Sequence, residues 1–171
     1  MRSKGFLYEL GRWAAVLIGI VSLFVLFGGN SVSGADPREV ADAVIDVIDM
    51  ENMLEADNQM VKRFYGLDPS DYEGCILYYP NTNMMAEEVL IVKLKDLRQQ
   101  QTVSDAIEAR LQTQKNTFEG YGVEQFDMLT NHCYVELRGN FVLFVVNPNA
   151  DAARKAFRVR CKGGSVWPFR N

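Results

Sequence analysis

The chain has 171 residues, of which 48% are hydrophobic and 23% charged, with a formal net charge of −4 at pH 7. That composition excludes a chain disordered throughout, no fixed-period repeat runs through it, and its length suits one domain around one core. The charge is uneven: residues 36–150 carry roughly −11 and residues 151–171 roughly +5, so an acidic body that repels nucleic acid precedes a basic tail.

Residues 1–12 set Arg2, Lys4 and Arg12 against Glu9, and Trp13–Phe27 (WAAVLIGIVSLFVLF) follows with Ser22 as its only polar side chain. As a helix this run spans about 22 Å against a hydrocarbon core of about 30 Å, and extension upstream to Phe6 supplies the rest. Residues 13–29 therefore read as a transmembrane or signal helix that enters the lipid bilayer through Trp13–Phe27. The positive flank keeps the N-terminus inside and sends the remainder of the chain across. Two outcomes compete. A retained single-pass anchor, with residues 30–35 as linker, is the preferred reading. The alternative is secretion after cleavage near Ala35, at the small-x-small triplet Ser33-Gly34-Ala35. No cysteine follows the apolar run, which excludes a lipid-modified cysteine there.

Residues 36–160 read as the folded domain, followed by a basic and aromatic tail at 161–171. Asp36-Pro37-Arg38-Glu39 predicts a helix start, with Val40, Val44, Val47 and Ile48 as its apolar stripe. A second helix is expected from Asp57 to Gly66, then a turn at Leu67–Asp71. Gly74–Tyr79 and Glu88–Lys95 predict a first hairpin. In the second of these strands Leu90, Val92 and Leu94 share one face, while Val89 and Ile91 take the other. Thr102 and Asp105 stand at capping-box spacing, so the longest helix is expected near there or from Asp96, with Val103, Ile107, Leu111 and Phe118 inward. A short helix over Val123–Leu129 precedes the alternating strand Cys133–Arg138, a Gly139-Asn140 turn and the apolar strand Phe141–Val146. A last helix covers Pro148–Phe157. The expected class is α+β: a four-stranded antiparallel sheet of two hairpins, each followed by helix, with helices packed on it.

The stretches MVKRFYGLDPSDYEGCILYYP (Met60–Pro80), MAEEVLIVKLKD (Met85–Asp96), FEGYGVEQFDML (Phe118–Leu129) and GNFVLFVV (Gly139–Val146) resemble, in this order, the domain of unknown function 4358 family. The resemblance implies an exported, membrane-associated protein of the Gram-positive bacterial envelope. It brings no activity and no functional residue.

The remaining candidates are chemical. His132 is the only histidine; it neighbours Cys133, but adjacent strand residues point to opposite faces, so a thiol dyad would need Cys75 or Cys161. The plainer expectation is a histidine at the sheet end and three cysteines packed as small apolar groups. Glu87 and Glu88 read as the polar lead-in to a strand, and Asp68, Asp71 and Glu73 as solvated acids in a turn rather than a calcium loop. The basic tail carries Arg154, Lys155, Arg158, Arg160, Lys162 and Arg170 among Phe157, Trp167 and Phe169, a mix that suits anionic headgroups or an acidic wall polymer. The plainer expectation is that Phe157 joins the core and the charges rest on the domain's own acidic surface. No catalytic, cofactor-binding or metal-ligating set is read, and no nucleic-acid partner is expected. The leading expectation is a non-enzymatic envelope domain that binds an unknown envelope protein or wall polymer. The alternatives are an extracytoplasmic hydrolase using acidic residues and a polyanion-binding module acting through Arg154, Lys155, Arg158, Arg160, Lys162, Trp167 and Arg170.

Overall fold

The computed structural model describes residues 32–161. Helix α1 (Pro37–Ile45) starts as its sequence predicts: the Asp36 carboxylate accepts the Arg38 N–H at 2.8 Å, and Pro37 fills the first turn, where no amide partner is needed. Val40 and Val44 are buried with Ile48, but the helix stops at Ile45 and the turn after it leaves Val47 facing solvent. A strand, β1 (Met53–Glu55), then forms where the sequence suggests only a connection. Helix α2 (Asn58–Tyr65) is capped by Asp57, which accepts the Met60 N–H at 2.8 Å, and ends on Gly66 in the left-handed region at φ 67°.

After a 3-10 turn at Pro69–Asp71 come β2 (Gly74–Pro80) and β3 (Glu88–Lys93), then α3 (Gln99–Phe118) and α4 (Val123–Asn131). The expected capping box at Thr102 and Asp105 is not used; both lie inside α3. Instead the Gln99 side-chain oxygen accepts the N–H groups of Lys95 and Asp96 at 3.0 and 3.1 Å, which seals the turn between β3 and the helix. The chain ends its described part with β4 (Cys133–Arg138), β5 (Phe141–Val146) and α5 (Ala150–Arg160). Gly139 at φ 60°, with no positive φ at Asn140, gives the β4–β5 hairpin a type II′ turn.

The sheet is antiparallel throughout and has five strands, not four, in the order β1-β2-β3-β5-β4. Helices α2, α3 and α4 cover one face, packing on Leu90, Val92, Val142 and Phe144. Helices α1 and α5 cover the other, on Val89, Ile91, Leu143 and Val145. Every residue of β3 and β5 is buried, which is why FVLFVV is apolar on both sides: central strands between two helical layers have no solvent face. Each such buried aliphatic or aromatic side chain contributes about 1.5–3 kcal/mol over its exposed state. Gly74 lets α1 approach β2, since a Cβ there would lie 2.5 Å from the Pro37 ring.

The segment before α1 is part of this packing. Ser33, in the stretch read as linker, is 5% exposed, and its N–H donates to Asn140 Oδ1 at 2.9 Å. The same Asn140 accepts the Leu94 N–H on its main-chain oxygen at 2.7 Å. The hairpin turn therefore holds the incoming chain against the end of β3.

Candidate functional site

Two glutamates lie inside the molecule, one on each face of the sheet. Glu88, expected at the solvated start of β3, is 0% exposed. It begins the strand at a register position opposite Val146, and its side chain meets α2 and α3. Arg110 of α3 closes a fork on it, with Nε at 3.2 and 3.1 Å from the two carboxylate oxygens and Nη2 at 2.7 Å from Oε2. Gln114 Nε2 donates to the same oxygen at 2.8 Å, and the Tyr65 hydroxyl donates to Oε1. The guanidinium also lies 4.2 Å from the Phe64 ring centroid, a cation–π contact. Burial, joined by the Glu88 charge, pushes the Tyr65 phenol well above its usual range, so it acts as a donor.

Glu136 of β4 is the second, 2% exposed on the α5 face. Arg158 Nε donates to its Oε1 at 2.5 Å, while Arg154 Nε stands 3.8 Å from Oε2. That distance is too long for a hydrogen bond, and both Glu136 Oε2 and Arg154 Nε are buried without a partner. Arg154 is held instead by the Tyr134 ring, 4.3 Å from its centroid.

Glu136 lines a groove of about 620 Å³ that follows β4 between the two helical layers. One wall is α3, with Asp105, Glu108 and Leu111; the other is α5, with Arg154 and Arg158. β4 is an edge strand whose single strand neighbour among the described residues is β5. The groove thus has a net acidic α3 wall, where Lys115 stands with Asp105 and Glu108, a guanidinium wall on α5, an open strand edge as its floor, and Thr130 and Asn131 of α4 at one end.

The residues singled out from sequence are distributed as follows. Arg154 and Arg158 line the groove, Phe157 is in the core, and Lys155 and Arg160 are exposed. Lys162, Trp167 and Arg170 lie outside the described residues, as does Trp13–Phe27; among the described residues no helix is long and apolar enough to cross a membrane. Asp68 caps the 3-10 turn through Ser70 and pairs with Lys62 at 2.6 Å, contacts that lower its carboxyl to about 2. Glu73 pairs with Lys93 at 2.5 Å, and among the described residues no three His, Cys, Asp or Glu side chains gather as a metal set.

His132 is exposed at the C-terminal cap of α4, next to Cys133 in the chain. Cys161 sits at the opposite end of β4, where its carbonyl accepts Arg138 Nε at 2.8 Å. Cys75 is on β2, level with Leu137 across the sheet. All three thiols are unbridged, and burial pushes each up to about 12. Their alkylation by iodoacetamide at pH 7.5 is expected to be slow in the folded chain, fast in denaturant and unchanged by His132→Ala. A marked slowing of one cysteine by that substitution would restore the dyad.

The sequence candidates include neither Arg110, Gln114 nor Glu136, and Glu88 stands among them only as a polar lead-in to its strand. Arg110 and Gln114 fall at helical spacing between Ile107 and Phe118, on the buried stripe itself, and that was the available signal.

The fold and site define a three-layer α+β domain with two buried, arginine-paired carboxylates and a groove at one sheet edge. The chain belongs to the family described as Domain of unknown function (DUF4358), whose profile matches residues 46–147. The match takes in all five strands with α2, α3 and α4 and leaves α1 and α5 outside. No curated protein matches the chain, and no solved structure does.

Proposed function

We propose that the chain is a single-pass membrane protein of the cell envelope whose domain, outside the membrane, is a non-enzymatic binding module using the groove along β4. The groove carries this reading: an open strand edge between oppositely charged walls, with a buried carboxylate oxygen left without a donor. Such an arrangement is suited to holding a ligand. Both buried glutamates, on β3 and β4, are paired with guanidinium groups of the helices packed on them, which gives the hydrolase alternative no support from them.

The anchor rests on Trp13–Phe27 and its basic flank. Gly28–Val32 separate that run from Ser33, which the fold holds, and extended chain covers at most about 3.6 Å per residue. The hairpin end of the sheet then lies within about 20 Å of the bilayer. A second reading follows from the same geometry. Cys161 is held by Arg138, one residue before the turn that holds Ser33, so the basic tail leaves the domain on the side of the tether. Contact of Arg160 and Lys162 with anionic headgroups fits that placement.

In-cell photo-crosslinking from three exposed positions of the full chain tests both readings. Gln112, on the groove rim, should capture one reproducible protein; Arg160 should capture lipid; Glu51, beyond the opposite sheet edge, should capture neither. Recovery without a neighbour at Gln112 overturns the binding role. A mature N-terminus near Asp36 replaces the anchor with secretion.

A further inference from the structure

The outward groups of β4 can be read from its register. Asn147 N–H donates to the His132 carbonyl, so His132 and Asn147 are a hydrogen-bonded pair at the base of the hairpin. In an antiparallel ladder such pairs alternate along the strand, and β4 opposes β5 from Cys133–Val146 to Arg138–Phe141. Tyr134, Glu136 and Arg138 therefore spend their main-chain groups on β5. Those of Cys133, Val135 and Leu137 point away from β5, the first two into the groove and the third just beyond its lining. A strand laid there would find three N–H and three C=O groups in register. β4 carries no proline, lysine or bulge, and its two charged side chains, Glu136 and Arg138, are turned to α5, where Arg158 and the Cys161 carbonyl hold them.

The walls specify the occupant. Side chains of an added strand would point alternately to the α3 wall, net acidic with Asp105 and Glu108 against Lys115, and to the α5 wall, with Arg154, Arg158 and the unpartnered Glu136 oxygen between them. Antiparallel pairing with a second copy would put the two α3 walls, each net acidic with Asp105 and Glu108 against Lys115, on the same face of a continuous sheet. The chain's own Lys162–Asn171 contains no acid to offer the guanidinium wall.

We infer that β4 binds an extended peptide of a partner protein as a sixth strand, one whose side chains alternate between basic or apolar toward α3 and, toward α5, acidic opposite Arg154 and Arg158 with a hydroxyl donor opposite the Glu136 oxygen. This rests on the binding role proposed above and names its mode.

The test uses the full chain in detergent micelles, with amide exchange followed by NMR. The probe is an acetylated, amidated hexapeptide with lysine, valine and lysine at odd positions and glutamate, threonine and glutamate at even ones. It should slow exchange at Val135 and Leu137. A peptide of the same composition, with its charges mixed between the two faces, should bind about tenfold more weakly, the worth of two or three cross-strand charge pairs. Glu108→Lys, at an exposed position, should reverse that order for a peptide carrying glutamate in place of the facing lysine. Equal affinities for the two peptides overturn the proposal, as does binding that leaves both amides unprotected. Protection already present without peptide and lost on trimming Lys162–Asn171 would assign the groove to the tail. Protection that rises with protein concentration would assign it to a second copy; either result overturns the inference. A protein crosslinked at Gln112 alongside unprotected amides would sink strand addition alone, whereas no crosslink and no peptide binding would sink the binding role as well.

Discussion

Arg110→Met should destabilise the full chain by about 3–5 kcal/mol, the cost of leaving a buried carboxylate without its counter-ion. Glu88 has no exposed surface, and Arg110 is the one cation among its partners. Methionine keeps most of the side-chain volume and its contact with Phe64, so the loss reports the charge rather than a cavity. Two comparisons sharpen the reading. Arg110→Lys retains charge but not the fork onto both oxygens or the planar stack, and should fall between the wild type and Arg110→Met. The double variant Glu88→Leu with Arg110→Met removes the stranded charge and should recover at least half of the single variant's loss, short of full recovery because Tyr65 and Gln114 then lose their acceptor. Denaturant unfolding of the four chains measures this. If Arg110→Met unfolds within about 1 kcal/mol of the wild type, the network does not hold α3 to the sheet in the way the geometry states.

The same residues show how far local pattern carries. Asp36-Pro37, Asp57 and Gly66 mark helix ends because caps act over three or four residues, and the structure uses all three. Cys133–Arg138 and Phe141–Val146 were legible as strands because alternation and unbroken apolarity are periodic signals. β1 has no such signal: its three residues are a strand through pairing with Tyr78, Tyr79 and Pro80 of β2. Glu136, between Val135 and Leu137, looks like the solvent side of a half-buried strand. That expectation fails because α5 covers the second face, and the number of layers is not a local property. Glu88 is misread for the same reason, its arginine standing 22 residues away on a helix whose docking nothing near Glu88 encodes. The capping box at Thr102 and Asp105 is the opposite error, a local signal overruled when Gln99 and Asp96 seal the turn one helical turn earlier. The groove needed all of this in place: it exists between layers, and its walls come from α3 and α5.

Phe157→Ala should cost about 3–5 kcal/mol and lower Tm by on the order of 10 °C. Phe157 is 0% exposed and meets Phe141 edge-on, with ring centroids 6.5 Å apart and an interplanar angle of 79°. It packs in the cluster that joins α1, α5 and the sheet. Its truncation leaves a hole under α5, between the turns that present Arg154 and Arg158 to the groove. Stability and groove binding should therefore fall together, although Phe157 itself does not line the groove. Val159→Ala, two residues further along α5 and 65% exposed, should change stability by less than about 0.5 kcal/mol and leave binding intact. The informative result is a dissociation of the two readouts. If Phe157→Ala unfolds early yet binds the charge-alternating peptide as tightly as the wild type below its transition, the α5 wall is not what positions the ligand. Recognition would then reside in the β4 edge and the α3 wall, which are the parts of the groove that lie within the family match.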